Sequence, residues 1–171
     1  MEVKNNPLSI VRLSRLRMQG YTAQSEHELT QLAFGIRFAY RACTIIIIIA
    51  IVTQSIALFS VMTIVAILGI VLPNHPFDYI FNYLVRKWMD KPEVPPRSIQ
   101  LKFACMIASL CLTIITSLLI YGFTTIGLLI AGSLVLVAAL PSTVDYCIPS
   151  AIYNVLFIRK SNDSPATIQK S

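Results

Sequence analysis

Apolar residues in this chain are grouped into four long runs, at residues 35–53, 56–72, 103–121 and 124–140. Each run is close to the about 20 residues that an α-helix needs to cross the hydrocarbon core of a bilayer. The breaks inside each pair of runs, Gln54-Ser55 and Tyr121-Gly122-Phe123, are short and carry no charge. The pattern predicts an all-α membrane protein with four transmembrane helices in two tight hairpins.

Amphipathic segments flank these runs. Residues 7–19 interleave leucine and isoleucine with arginine, which predicts a short basic helix on the membrane surface; a partly ordered tail is the alternative. Ser25 and Glu28 have the spacing of a capping box, so the first long helix is expected to begin near residue 25, ahead of the membrane. A further interfacial helix is predicted where apolar residues recur at helical spacing, at Phe77, Ile80, Phe81, Leu84 and Trp88.

The second half of the chain resembles the first. Ala139-Leu140-Pro141 matches Val71-Leu72-Pro73, and Asp145-Tyr146 matches Asp78-Tyr79. We therefore predict two repeat units, at about 33–91 and 98–160, each a hairpin followed by an interfacial helix. Two spans per unit give both units the same orientation, so a pseudo-twofold axis along the membrane normal would relate them.

These patterns give a simple domain plan. Residues 1–24 form a basic N-terminal segment, residues 25–160 a single transmembrane domain, and residues 161–171 a polar tail. Small residues four apart, at Ala104 and Ala108 and at Gly127 and Ala131, predict close helix packing inside that domain.

Charge is sparse and one-sided. The chain is 13% charged and 56% hydrophobic, with a net charge of +6, and all fourteen Lys and Arg residues lie outside the apolar runs or at the start of the first. The positive-inside rule then places both termini in the cytoplasm. Anionic lipid headgroups are the expected partners, and a nucleic acid is not, because no basic and aromatic residues interleave. The predicted lipid and interface anchors are Arg37, Arg41, Arg86, Lys87, Trp88, Lys102, Arg159 and Lys160.

Residues that could carry chemistry are few. No Asp, Glu, Lys, Arg or His falls in the middle of a predicted span, which counts against an ion-coupled transporter. The four cysteines include no C-x-x-C pair, so we expect neither a disulfide framework nor a zinc site, and no cofactor. The candidate functional cluster follows the prolines that end the second and fourth runs, and its members are His75, Asp78, Asp145 and Cys147.

Two interpretations of this cluster stay open. His, Cys and carboxylate groups are metal ligands, and a Cys near a His can be a reactive thiolate. The interpretation that we prefer is structural: His75 and Asp78 stand at a helix start, where an acidic side chain binds free backbone amides. On that interpretation the protein has no catalytic, metal or cofactor site and is not an enzyme.

Motifs after both prolines resemble a known family. Asn74-His75-Pro76-Phe77-Asp78, Pro95-Pro96-Arg97 and Asp145-Tyr146-Cys147-Ile148-Pro149-Ser150 with Tyr153 are similar to the bacterial four-span membrane proteins grouped as domain of unknown function 4395. The resemblance covers about residues 33–160. It implies no established activity, although some members occur beside or fused to rhodanese- or thioredoxin-like proteins. Some members carry a second cysteine where this chain has Ser150, so a dithiol mechanism does not transfer to it.

Three functions follow as hypotheses. The preferred one is a non-catalytic accessory or scaffold subunit of a bacterial inner-membrane complex, with other membrane-protein subunits as partners. The second is a sulfur- or thiol-handling membrane protein that works with rhodanese- or thioredoxin-like partners, in which Cys147 is the working thiol and His75 tunes it. The third is a passive channel or carrier for a small neutral solute at the interface between the repeats.

Overall fold

The computed structural model describes residues 8–158, and every regular element within that range is helical. The elements are α1 (Ile10–Met18), α2 (Glu26–Thr53), α3 (Ile56–Val71), α4 (Pro76–Ile80), a first π-helix (Phe81–Val85), α5 (Arg86–Met89), α6 (Ile99–Ile120), α7 (Thr124–Thr143), α8 (Ile148–Tyr153) and a second π-helix (Asn154–Ile158). The long helices lie where the four apolar runs predicted them, so the all-α fold class is confirmed.

The long helices are those of a multi-pass membrane protein. α2, α6 and α7 are each long and apolar enough to cross a membrane. α3 is a fourth candidate when it is joined to the segment Pro76–Met89, from which it is bent by 82°. A bend of that size turns the chain from along the bundle to nearly across it, which is the direction expected of an interfacial helix.

Serine caps set where the long helices begin. The Ser25 N–H donates to Glu28 Oε2 at 2.8 Å, and the Glu28 N–H donates to Ser25 Oγ at 3.3 Å, so the predicted capping box is confirmed. Ser55 and Ser98 cap α3 and α6 in the same way, each accepting from a backbone N–H of the first turn. α7 continues to Thr143, past the expected end, because a proline in the last turn removes only one backbone hydrogen bond.

Each half of the chain packs mainly against the other half. The second helix of the first half, α3, lies along the first helix of the second half, α6. In the same way, α2 lies along α7, so the two pairings are related by exchange of the halves. Both halves also end in a short α-helix that leads directly into a π-helix. The order of elements therefore repeats as predicted. Gly127 and Ala131 are buried in this packing, as their spacing indicated.

The N-terminal segment is packed onto the helices. α1 buries Leu13 and Leu16 in one cluster with Leu29 of α2, whereas Ile10 stays exposed. The prediction that the apolar face of α1 lies on the membrane is therefore wrong for its leucines. They face protein because the start of α2 offers them an apolar surface. Gly20, with φ of 94°, ends the segment in a left-handed turn.

One side of segment 76–89 packs against the protein, and the other side is exposed. Phe81 is completely buried, with its ring 5.5 Å from that of Phe38. Leu84 and Trp88, predicted to share a face with Phe81, are exposed instead. The wider turn of the first π-helix rotates the residues that follow it, which a regular 3.6-residue period does not anticipate. Trp88 is 94% exposed and remains placed for an interfacial role.

Candidate functional site

Asp78 and Arg97 form a buried ion pair at one end of the spans. Arg97 Nε and Nη2 donate to the two carboxylate oxygens of Asp78 at 2.6 and 3.2 Å, and the side chains of Arg97 and Asp78 are 5% and 1% exposed. Asp78 also accepts from the His75 backbone N–H at 3.1 Å, which caps α4. The helix-start interpretation of Asp78 is confirmed. Its carboxylate has a second role, which is to neutralise a guanidinium beside the bundle.

Asp145 forms an equivalent pair with Arg37. Arg37 donates through Nε and Nη2 to both carboxylate oxygens, and Arg12 Nε lies 3.8 Å from one of them. Asp145 itself has a left-handed backbone, with φ of 60°. The structure corrects the prediction that Arg37 is a lipid anchor. Its charge is engaged inside the protein, because a buried carboxylate requires a cationic partner.

The other predicted anchors that the structure describes lie at or near the surface: Arg41, Arg86, Lys87, Trp88 and Lys102. Arg86 also forms an exposed ion pair with Glu93, at 2.8 Å. Arg159 and Lys160 lie outside the described residues. Contact of these side chains with lipid headgroups stays a prediction.

A cavity of about 120 Å³ lies between the two halves. Most of its wall is apolar and comes from α2, α3, α6 and α7. Its polar and thiol-bearing lining residues are Tyr40, Cys43, His75, Arg97, Cys105 and Cys147. Three of the four cysteines of the chain therefore meet an imidazole and a guanidinium around one space.

His75 contributes a neutral ring to this cavity. Its Nδ1 accepts from the Phe77 backbone N–H at 3.3 Å, so the proton of the neutral ring is on Nε2. Burial, assisted by the positive charge of Arg97, lowers the pKa of His75 to about 3. Gly69 leaves room for the ring, because a Cβ there would lie 2.6 Å from His75 Cδ2 and 3.1 Å from Cys105 Sγ. His75 and Cys105 thus lie on the same side of the cavity.

The cysteines differ in what surrounds them. Arg97 Nη1 lies 3.8 Å from Cys105 Sγ, while Cys147 is 5% exposed and directly precedes α8. All four cysteines are free. Within residues 8–158, no three His, Cys, Asp or Glu side chains are placed to hold a metal ion. The guanidinium of Arg97 is therefore adjacent to one of the cavity thiols, that of Cys105.

Only two members of the candidate cluster line the cavity. His75 and Cys147 line the cavity, whereas Asp78 and Asp145 belong to the two ion pairs. The sequence prediction missed Arg97 as a site residue. The sequence did contain an indication of its role: Arg97 directly precedes the Ser98 cap of α6, at the same end of the bundle as Asp78, a carboxylate that needs a cationic partner.

The N-terminal segment closes the polar end of this region. Gln19 is 1% exposed; its Nε2 donates to the Asp145 carbonyl at 2.7 Å, and its own backbone carbonyl accepts from Ser98 Oγ at 2.5 Å. Tyr40, a cavity residue, lies within 3.5 Å of the Gln19 side chain. Tyr21 is buried close by, and burial raises the pKa of its phenol above the ordinary value. The segment therefore joins α2, α6 and the end of α7.

Comparison with known proteins identifies the family. Residues 34–157 match the family described as Domain of unknown function (DUF4395), and this match covers most of the chain. The chain belongs to this family, as its post-proline motifs indicated. No curated protein and no solved structure matches it. The N-terminal segment that closes the site lies outside the matched residues.

Proposed function

We propose that this protein handles sulfur or thiol groups at the inner membrane of a bacterium, as a four-span subunit that works with a rhodanese- or thioredoxin-like partner. The observation that carries the proposal is the cavity, where Cys43, Cys105 and Cys147 meet His75 and Arg97. A partner delivers or removes the sulfur, and the membrane protein holds it; it is not an enzyme by itself. Cys147 is the working thiol, and His75 lines the same cavity.

The environment of the cavity fits this role. The guanidinium of Arg97, which contacts Cys105, stabilises negative charge that forms on sulfur in the cavity. Asp78 holds that guanidinium in place with two hydrogen bonds. A sulfur atom moves without net oxidation when a persulfide donor R–S–SH and the Cys147 thiol become R–SH and a Cys147 persulfide.

Intact-protein mass spectrometry tests this proposal. The purified protein is incubated with glutathione persulfide, and we expect a mass gain of one sulfur atom. Cys147→Ser should abolish that gain. Cys111→Ser is the matched control, because Cys111 lies on α6 and does not line the cavity. A wild-type protein that gains no sulfur, or a Cys147→Ser variant that loads as well as Cys111→Ser, would refute the proposal.

A second candidate function is a scaffold subunit without chemistry of its own. The exposed apolar side of segment 76–89 favours it, because Tyr83, Leu84 and Trp88 are 68%, 64% and 94% exposed. Such a surface fits either the membrane interface or a neighbouring subunit. Purification in mild detergent followed by native mass spectrometry separates the two; a monomer without any partner would count against the scaffold.

Orientation is part of the proposal. We propose that both termini and the long connection between α5 and α6 lie in the cytoplasm, because the cations of three segments favour that side. A cysteine tag at either terminus should stay unlabelled by a membrane-impermeant maleimide in intact spheroplasts and become labelled after lysis. Labelling before lysis would show that the tagged terminus lies on the opposite side of the membrane.

A further inference from the structure

The cavity is less enclosed on one side than on the other. Its wall from α3 is buried, at Met62 and Ala66, as are Ala39 and Ile47 of α2, whereas Tyr40 and Cys43 of α2 are partly exposed. Its walls from α6 and α7 hold the larger partly exposed set, at Ala104, Ile107, Ala108, Leu134, Val137 and Ala138, beside the buried Cys105, Leu112 and Pro141. The spacing of Ala104 and Ala108 predicted close helix packing, but these alanines line the cavity instead. The side on which the cavity is most accessible is therefore the surface of two spans, which faces lipid.

The polar end of the cavity offers hydrogen-bond donors. The ring N–H of His75 at Nε2 has no hydrogen-bond partner among residues 8–158, although the residue is only 4% exposed. Arg97 stands beside it and carries no uncompensated charge, because Asp78 neutralises the guanidinium. The His75 ring is also neutral. A neutral ligand with an acceptor oxygen therefore fits this end better than an anion does.

The volume of the cavity and its access from the lipid side narrow the choice of ligand further. A cavity of about 120 Å³ is comparable to an engineered apolar cavity of about 150 Å³ that binds one benzene molecule. It therefore has room for about one six-membered ring, and the substituents of a larger ligand would lie in the opening toward lipid. Entry from the lipid side requires a molecule that dissolves in the bilayer. A quinone headgroup combines these properties: a flat apolar ring, carbonyl acceptors, no charge and solubility in lipid.

We propose that this cavity is a binding site for a lipid-soluble quinone, whose ring enters between α6 and α7 and whose carbonyl accepts a hydrogen bond from His75 Nε2. The proposal shares its location with the proposed thiol function and goes beyond it, because it names a ligand that binds without the thiols. It concerns binding, and it requires no reaction of the cysteines.

Duroquinone is a suitable probe, because its ring is fully substituted and has no free position for addition of a thiol. Durene has the same methylated ring without the carbonyl oxygens. Binding of both to the full-length protein in nanodiscs is measured by equilibrium dialysis. We expect saturable binding of duroquinone, at least about tenfold tighter than that of durene. His75→Asn, which keeps an acceptor for the Phe77 N–H but loses the ring, should remove most of that difference.

Two cavity-filling variants test the location. Ala138→Leu on α7 and Ala104→Leu on α6 place a larger side chain in the cavity, and each should weaken duroquinone binding at least about tenfold. Ala139→Leu, one residue along α7 and outside the lining, should bind like the wild type. Circular dichroism confirms that each variant is folded. If both folded lining variants bind as well as Ala139→Leu, the ligand lies elsewhere and the proposal is wrong.

A cysteine-free cavity separates this proposal from the thiol function. The triple variant Cys43→Ser, Cys105→Ser and Cys147→Ser should still bind duroquinone, because the interactions invoked come from the ring of His75 and the apolar wall. If the protein binds duroquinone but gains no sulfur, the quinone site is supported and the thiol function is refuted. Sulfur loading of Cys147 without saturable duroquinone binding would overturn it and leave the thiol function intact.

Discussion

Two arginine–aspartate pairs decide how the polar end of the bundle is built. Both carboxylates are buried, with side-chain exposures of 0% and 1%, and each receives a two-pronged guanidinium contact from the other half of the chain. Arg37 reaches Asp145, and Arg97 reaches Asp78. A buried pair contributes little net stability compared with apolar residues, but loss of one partner leaves an uncompensated charge. The pairs therefore act mainly by disfavouring helix arrangements in which one of these charges would be buried without its partner.

Removal of one partner should be severe. Arg97→Gln leaves the Asp78 carboxylate buried without its counter-charge, so the free energy of unfolding should fall by about 3 kcal/mol or more. Arg86→Gln is the matched control, because it removes an exposed pair with Glu93 and should cost less than about 1 kcal/mol. Thermal or denaturant unfolding in detergent measures both. Similar losses for the two variants would show that burial of the pair has no effect.

His75 should make stability depend on pH. Its pKa is lowered to about 3 in the folded protein, against about 6.5 unfolded, so the unfolded state binds the extra proton first. The stability that the neutral ring contributes to the free energy of unfolding is complete above about pH 6.5 and falls by about 2 kcal/mol by pH 5. His75→Asn should flatten this slope between about pH 6.5 and 5. His27→Gln should keep it, since His27 is exposed; equal slopes in wild type and His75→Asn would contradict the assignment.

Individual helices show which parts of the fold the sequence could predict. The bounds of α2 follow from a capping box at Ser25 and a run of isoleucine, both of which are local signals. The two π-helices follow no comparable signal, and the first of them decides which residues of segment 76–89 are buried. The site was predictable only as far as His75 and Cys147. Arg97 and Cys105 join it through contacts between the halves, which no local pattern encodes.

Gly35 marks a point where the first π-helix and the loop before α6 approach α2 closely. A Cβ at this position would lie 2.5 Å from Val94 Cγ2 and 2.7 Å from Phe81 Cε1. Gly35→Ala should therefore destabilise the protein by about 1–3 kcal/mol through overpacking. Gly132→Ala is the control, because nothing lies within 4 Å of the place that its Cβ would take on α7, and alanine favours helix by up to about 1 kcal/mol. Opposite signs are expected in the same unfolding assay, and equal signs would disprove the close approach.

The molecule as a whole is held together at one end by its N-terminal segment. Gln19 contacts the end of α7 and the start of α6, and Asn154 Nδ2 donates to the Met18 carbonyl at 2.7 Å. The same segment covers the polar end of the cavity through Tyr21 and Gln19. The family match begins at residue 34, so this segment lies outside the matched residues.

Deletion of residues 2–24 should expose the cavity thiols to water at that end of the bundle. In a background where Cys147 is the single cysteine, a water-soluble maleimide should label the deletion variant faster than the full chain. Arg17→Gln removes only an exposed pair with Glu26 and should label at the full-chain rate. Equal labelling of the deletion variant and the full chain would show that the segment does not control access.

The reciprocal contacts of the two halves have an evolutionary consequence. A chain in which α2 pairs with α7 and α3 with α6 is what duplication of an ancestral two-helix gene would produce, with each copy supplying the partner that the other lacks. Fusion frees the copies to specialise. His75 stands directly before the short helix α4 of the first copy, and Cys147 stands directly before α8, the short helix of the second. A symmetric ancestor would have carried the same residue at both places, so an imidazole and a thiol could face one cavity only after the copies had diverged.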